Sequence, residues 1–211
     1  MEGKTSLAQP TRPTASGLQW LTAPSAVAGM AYRWTDGSLE RLEITENGAA
    51  VVSSCRLDET AVQITTSHDG RLVVVACIDG SLRCWDSTAS SLTLRWSLPN
   101  AHSHIVTDAS TSPSSDRSHA AAASGPVRSL SLSHAGYHLA MVDNTTLRIY
   151  NAASAQPSVL TSMNDVTSAV WSSTSSTLAV GKTDGSIEIH ELSADQLNSI
   201  SQLGCPSDEQ G

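Results

Sequence analysis

The sequence predicts an all-β fold of about four consecutive blades, each of four antiparallel strands, arranged as a partial β-propeller. Three observations predict it. A tight-turn signature recurs as Asp36-Gly37-Ser38-Leu39, Asp79-Gly80-Ser81-Leu82 and Asp184-Gly185-Ser186-Ile187, with a degraded copy at Asp143-Asn144-Thr145-Thr146-Leu147. The Asp-to-Asp spacings are 43, 64 and 41 residues. Removing about 21 residues from the long interval restores a period near 43, within the ~40–45 residues of a four-stranded blade. The third observation is that the strands flanking each copy follow one plan.

That plan opens with an alternating strand: Val62-Gln63-Ile64-Thr65, Val127 to Leu132, and Val166 to Trp171. A polar turn follows at Ser67-His68-Asp69-Gly70, Ser133-His134-Ala135-Gly136 and Ser172 to Ser176. Next comes a short apolar run, Leu72 to Ala76, Leu139 to Val142 or Leu178 to Gly181, the pattern of a strand buried on both faces. The Asp-Gly turn comes next, because glycine reaches positive φ without steric cost and the aspartate side chain caps its own turn. A third strand alternates again, as in Leu82-Arg83-Cys84-Trp85, Leu147 to Tyr150 and Ile187 to His190. A looser fourth strand, such as Leu92 to Trp96, closes the unit. In the first unit Leu18 to Leu21 and Ala28 to Trp34 supply the first two strands. The blades span residues 17–203. Residues 1–16 and 204–211 read as disordered ends, residues 99–126 as a low-complexity loop outside the blades, and Ser193-Ala194-Asp195-Gln196 as a single helical turn.

Composition narrows the function classes. The 211 residues include 35 Ser, 20 Thr and no Phe, and the formal net charge is −8. The longest apolar run, Leu72 to Ile78, is far shorter than the ~20 residues of a membrane span. No apolar segment at the N-terminus marks a secretory signal. A net negative chain without a Lys/Arg cluster is a poor phosphate tracker, so direct nucleic-acid binding is not expected. Cys55, Cys77, Cys84 and Cys205 form no CxxC pair and read as reduced thiols.

No enzymatic constellation stands out, and neither a cofactor nor a metal is expected. G-x-S-x-G, G-x-G-x-x-G and G-x-x-x-x-G-K-[ST] are absent. Ser67-His68-Asp69 is contiguous, whereas a catalytic triad converges in space, so backbone capping explains it better. His102-x-His104 with Asp108 and His119 falls in the low-complexity loop and reads as solvated histidines. Cys77 and Cys84 read as small buried apolar residues. Trp85 and Trp171 read as core. Trp96, on an outer strand, is left open between core and interface.

Cys84-Trp85-Asp86 carries the Trp-Asp dipeptide at the end of a third strand, the position it holds in WD repeats. The corresponding pairs elsewhere are Leu42-Glu43, Tyr150-Asn151 and His190-Glu191, and no copy has an opening Gly-His, so the propeller resembles a divergent WD-like one. The fourth unit reads Asp165-Val166-Thr167-Ser168-Ala169-Val170-Trp171-Ser172, then Leu178-Ala179-Val180-Gly181-Lys182-Thr183-Asp184-Gly185-Ser186-Ile187. This resembles the N-terminal propeller of the cytoplasmic-face nucleoporin that docks the DEAD-box mRNA-export helicase, which carries a V-T-S-x-x-W-S-P…L-A-V-G-K-x-x-G-x-V run. The likeness is best over residues 127–192, with Ser173 where that family has Pro. It implies a non-enzymatic scaffold at the cytoplasmic face of the nuclear pore, with protein partners that include the helicase and pore subunits. The alternative is a WD-like adaptor in another cytosolic or nuclear assembly. Four units fall short of a closed propeller, which implies a truncated chain or one completed by another chain. No partner-binding residue is carried over.

Deleting residues 103–123 is expected to move the thermal midpoint by no more than a few degrees, because a segment so poor in apolar residues buries too little surface to offset its ordering entropy. Loss of cooperative unfolding in that deletion would contradict the assignment.

Overall fold

The structure, a computed structural model, describes residues 17–21, 29–35, 37–88, 91–102, 127–193 and 196–204, with side chains from residue 31 onward. Sixteen strands form four separate four-stranded antiparallel sheets in chain order. Blade 1 holds β1 (Gly17–Leu21), β2 (Gly29–Thr35), β3 (Ser38–Thr45) and β4 (Gly48–Arg56). Blade 2 holds β5 (Ala61–Thr66), β6 (Leu72–Cys77), β7 (Leu82–Ser87) and β8 (Leu92–Leu98). Blade 3 holds β9 (Val127–Leu132), β10 (His138–Asp143), β11 (Thr146–Asn151) and β12 (Val159–Met163). Blade 4 holds β13 (Val166–Trp171), β14 (Thr177–Lys182), β15 (Ile187–Ser193) and β16 (Gln196–Leu203). The first strands β1, β5, β9 and β13 neighbour one another in series, so they line the inner side and the fourth strands lie outermost.

The second strands show why the sheets stack. All six residues of β6 are buried. Val73, Val75 and Cys77 face blade 1, where they pack with Tyr32 and Leu39. Leu72, Val74 and Ala76 face blade 3, packing with Leu132, Leu139 and Met141. In β10 the roles repeat: Leu139 and Met141 face blade 2, while Ala140 and Val142 face blade 4. Side chains alternate across a strand, so a continuous apolar run supplies both faces of one sheet.

Directed hydrogen bonds fix the blade-to-blade register. Leu132 N donates to Thr65 Oγ1 at 3.3 Å, Trp171 N to Ser131 Oγ at 3.0 Å, and Ser129 Oγ to the Ala169 carbonyl at 2.7 Å. Trp96 Nε1 donates to the Ala152 carbonyl at 3.1 Å, from blade 2 to blade 3. Trp96 therefore belongs to the core, as do Trp85 and Trp171. The side chain of Trp20 lies outside the described residues.

The turns refine the expectations. Gly80 and Gly185 sit at φ +84° and +86°. The turn aspartates cap as expected: Asp79 Oδ1 accepts Ser81 N at 2.9 Å and Ser81 Oγ at 2.6 Å, and Asp184 Oδ1 accepts Ser186 N at 2.8 Å and Ser186 Oγ at 2.7 Å. Those Ser186 bonds hold the Asp184 carboxyl below its ordinary 3.8. Asp36 lies outside the described residues, but its neighbour Gly37 has φ +88°. In blade 3 the chain turns differently. Asp143 ends β10, paired with Thr146, and Asn144 takes the left-handed position at φ +57°. Asparagine tolerates that region better than most residues, which explains why this copy lacks glycine.

Three further expectations are corrected. Ser193 pairs with Gln196 across β15 and β16, so that segment joins a hairpin instead of forming a helical turn. Ala101 and His102, expected in the loop outside the blades, are buried. His102 N donates to the Gly80 carbonyl at 3.1 Å and Tyr150 Oη to the Ala101 carbonyl at 3.2 Å, so residues 101 and 102 belong to the packed blades; residues 103–126 lie outside the described residues. Strand β14 is buried on one face only: Leu178 and Val180 are buried, while Ala179 and Gly181 are half-buried on a face that no described residue of a further blade covers.

Two stability experiments follow. Gly185→Val should destabilise by roughly 1–3 kcal/mol in chemical denaturation, the cost of a β-branched residue at positive φ. Gly204→Val should be neutral, since nothing lies within 4 Å of its added carbon and its φ is unstrained. Leu139→Ala, at a fully buried site, should cost about 2–5 kcal/mol. Ile187→Ala, on the uncovered face of blade 4, should cost well under about 1 kcal/mol. Equal costs within either pair would contradict the packing scheme.

Candidate interaction site

In blades 2, 3 and 4 the first-to-second-strand connection turns at the same end of the blade, here termed the lower end. In blade 2, Ser67 Oγ donates to Asp69 Oδ1 at 2.6 Å and accepts from Leu72 N at 2.9 Å, and Gly70 turns at φ +67°. In blade 3, Ser133 Oγ accepts from His138 N at 3.0 Å and Gly136 turns at φ +76°. A Cβ on Gly136 would approach Leu72 Cδ1 to 2.9 Å, so glycine also lets this turn settle against blade 2. Blade 4 replaces the glycine turn with Ser172 to Ser176, braced by Ser172 Oγ and Ser175 Oγ.

These turns bring dispersed residues together. The His68 and His134 rings lie 4.5 Å apart between centroids, and the His138 and Trp171 rings 6.0 Å. Between the turns of blades 3 and 4 is a hollow of about 270 Å³, lined by Ser133, His134, Ala135, Tyr137, His138 and Thr174 to Ser176. Tyr137 stands at its rim with 59% of its surface exposed, although most large apolar and aromatic residues are inside. Trp171 Nε1, buried nearby, has no hydrogen-bond partner among the described residues.

A second cleft, of about 610 Å³, opens between blades 1 and 2. Its wall includes Arg41, Asp69, Gly70, Arg71, Asp86, Ser87 and Thr88. Buried Tyr32 anchors it, with Oη donating to the Gly70 carbonyl at 2.9 Å and lying 2.5 Å from Ser87 Oγ. Burial raises the Tyr32 phenol above its ordinary 10.0, against the Ser87 hydrogen bond and the Arg41 charge, so it remains a protonated donor at neutral pH.

The other sequence candidates resolve as follows. Ser67 bonds Asp69 directly while His68 stacks on His134, an arrangement without a Ser-to-His-to-Asp relay. His102 is buried beside Gly80 instead of solvated; His104, Asp108 and His119 lie outside the described residues. Among the described residues no group of three His, Cys, Asp or Glu side chains is placed to hold a metal ion. Cys55, Cys77 and Cys84 are free thiols, and burial pushes the Cys77 thiol up to about 11 and the Cys84 thiol to about 12. Neither forms a thiolate nucleophile near neutral pH. Cys205 lies outside the described residues. Tyr137 is not legible from sequence, because one exposed aromatic in a polar turn carries no periodic signal.

The family described as WD domain, G-beta repeat matches residues 45–86. That stretch runs from the end of β3 to Trp85-Asp86 in β7, across the boundary between blades 1 and 2. The four four-stranded antiparallel sheets have the architecture of β-propeller blades and are similar to those of WD40 propellers. No curated protein matches the chain. Among solved structures, the C-terminal WD40 domain of Sif2 aligns at TM-score 0.55 and 14% identity, covering 86% of this chain and 46% of that one. A chain of the Mitotic Checkpoint Complex aligns at TM-score 0.56 and 13% identity, covering 90% and 52%. Chaetomium thermophilum Sqt1, bound to the N-terminus of the ribosomal protein L10, aligns at 0.53 and 20%, covering 84% and 45%. At these identities the likeness establishes the fold, and this chain spans about half the length of the propellers it matches.

Proposed function

We propose that the chain is a protein-interaction scaffold that engages its partner through the lower-end turns. The observation that carries this reading is exposed Tyr137 beside the hollow between blades 3 and 4, because an amphipathic ring at the mouth of a concavity suits an interface anchor. The WD40-type fold supports the class of function. So does the use of its buried residues, which are engaged in joining blades.

Within that class, the finer reading is a component of the cytoplasmic face of the nuclear pore that docks the DEAD-box mRNA-export helicase. It rests on the resemblance carried by Val166-Thr167-Ser168, Trp171-Ser172 and Leu178 to Lys182. The net charge of −8 suits attraction to a basic partner surface. The contrasting reading is an adaptor in another cytosolic or nuclear assembly.

One experiment addresses both levels. Tagged wild-type chain and Tyr137→Ala are recovered from cells at low and moderate salt, and their partners compared. The scaffold reading expects a defined set of protein partners, with Tyr137→Ala depleting at least one of them. The pore reading further expects a nuclear-rim signal and salt-sensitive recovery of the helicase. Identical partner sets would overturn the assignment to the Tyr137 hollow. Partners confined to other assemblies, with no rim signal, would decide for the adaptor.

A further inference from the structure

Among the described residues five arginines reach a carboxylate, whereas Arg41, Arg56 and Arg128 have none within ion-pair distance, and of these Arg41 lines a cleft. Arg33 pairs with Glu40, Arg95 with Asp86 at 3.2 Å, and Arg148 with Asp143 at 3.3 Å. Arg83 reaches Asp58 at 3.5 Å and Asp79 at 3.6 Å. Arg41 is half-buried at the wall of the cleft between blades 1 and 2, and no described carboxylate lies within ion-pair distance of it. Its Nη1 is held by the Thr88 carbonyl and by Ser87 Oγ, and its Nε is buried without a partner. Ser87 is in turn bonded to buried Tyr32. Neutral acceptors and inter-blade packing therefore hold the guanidinium in place.

The acids of the wall are engaged within their own blade. Asp69 Oδ1 accepts from Ser67 Oγ and from Arg71 N at 3.0 Å, and Asp86 Oδ1 accepts from Arg95 Nη1. The side chain of Arg71 is 82% exposed and reaches Asp69 only at 3.9 Å. The cleft therefore presents an anchored guanidinium, Arg41, and an exposed one, Arg71. With Nη1 taken by protein acceptors and Nε buried, Nη2 of Arg41 and the exposed Arg71 guanidinium are the charged donors left to meet a carboxylate or phosphoryl group.

We propose that the cleft between blades 1 and 2 binds an anionic oxygen group, carboxylate or phosphoryl, on a short peptide segment of a partner, with Arg41 as the fixed anchor and Arg71 as the closing contact. The cleft volume of about 610 Å³ admits more than a lone ion. The rim acids Asp69 and Asp86 make it a poor site for unattached anions, because the neighbouring peptide must contribute to binding. The net charge of −8 repels acidic peptides at long range, so any such binding must come from local contacts. The proposal deepens the scaffold reading and rests on it, but it concerns a different blade junction from the Tyr137 hollow.

Fluorescence polarisation with three matched labelled pentapeptides, Ala-Gly-X-Gly-Ala, tests it on the full chain. The central residue X is glutamate, phosphoserine or glutamine. Glutamate or phosphoserine should bind about tenfold more tightly than glutamine, as expected for a charge-assisted contact, and the tighter of the two identifies the anion. Arg41→Gln should abolish that preference, Arg71→Ala should reduce it, and Ile200→Ala, at an exposed position on the outer strand of blade 4, should leave it unchanged. If Arg41→Gln fails to fold, Arg71→Glu and the amide NMR shifts of Gly70 and Thr88 on titration with the acidic peptides take its place. Absence of the preference, its persistence in folded Arg41→Gln, or shifts confined to other blades would overturn the proposal. That result would leave the partner-recovery test of the Tyr137 hollow intact.

Discussion

No blade of this protein can bury its apolar residues alone. A four-stranded sheet is one layer thick, and here both faces of the middle sheets are apolar. Strand β6 carries six buried residues in a row because three serve blade 1 and three serve blade 3. Burial of each sheet depends on its neighbours, so the stack is stabilised by nearest-neighbour interfaces, as in other repeat architectures. The turns, the tryptophan placements and the lower-end clefts follow from this.

The interfaces are more than apolar contact. Hydroxyls of Thr65, Ser129 and Ser131 bond the backbone of the next blade's first strand, and Trp96 and Tyr150 bond carbonyls across the junction of blades 2 and 3, in opposite directions. A one-residue slip in a strand exchanges its faces. Directed bonds between inner strands oppose that slip where apolar packing alone would tolerate it. The abundance of Ser and Thr, which lowers the apolar share of the sequence, thus has a structural use at the blade junctions.

The lower end is where the packing rule leaves surface available. Glycine turns in blades 2 and 3 allow close approach, as the Gly136 contact with Leu72 shows, whereas the serine-rich turn of blade 4 stands away and leaves a hollow. Between blades 1 and 2, the Tyr32, Ser87 and Arg41 contacts hold open a polar cleft. Both concavities lie between blades, so their shape depends on how two sheets seat against each other.

The sequence by itself determined the blades. Its period near 43 residues, the Asp-Gly turns and the doubly apolar second strands are local or periodic signals, each with a steric or alternation cause, and the strands lie where these place them. It misplaced features whose cause is not local. Ala101 and His102 have the composition of the loop that follows but are buried beneath neighbouring turns. Gly181 ends an apolar run yet is only half-buried, because burial of a sheet face requires another sheet against it. The interaction surfaces were illegible for the same reason. Tyr137 and Thr174, or Arg41 and Ser87, are distant in the chain and share no motif. They meet only when blades stack, so tertiary structure alone decided which polar and aromatic side chains face a common cleft.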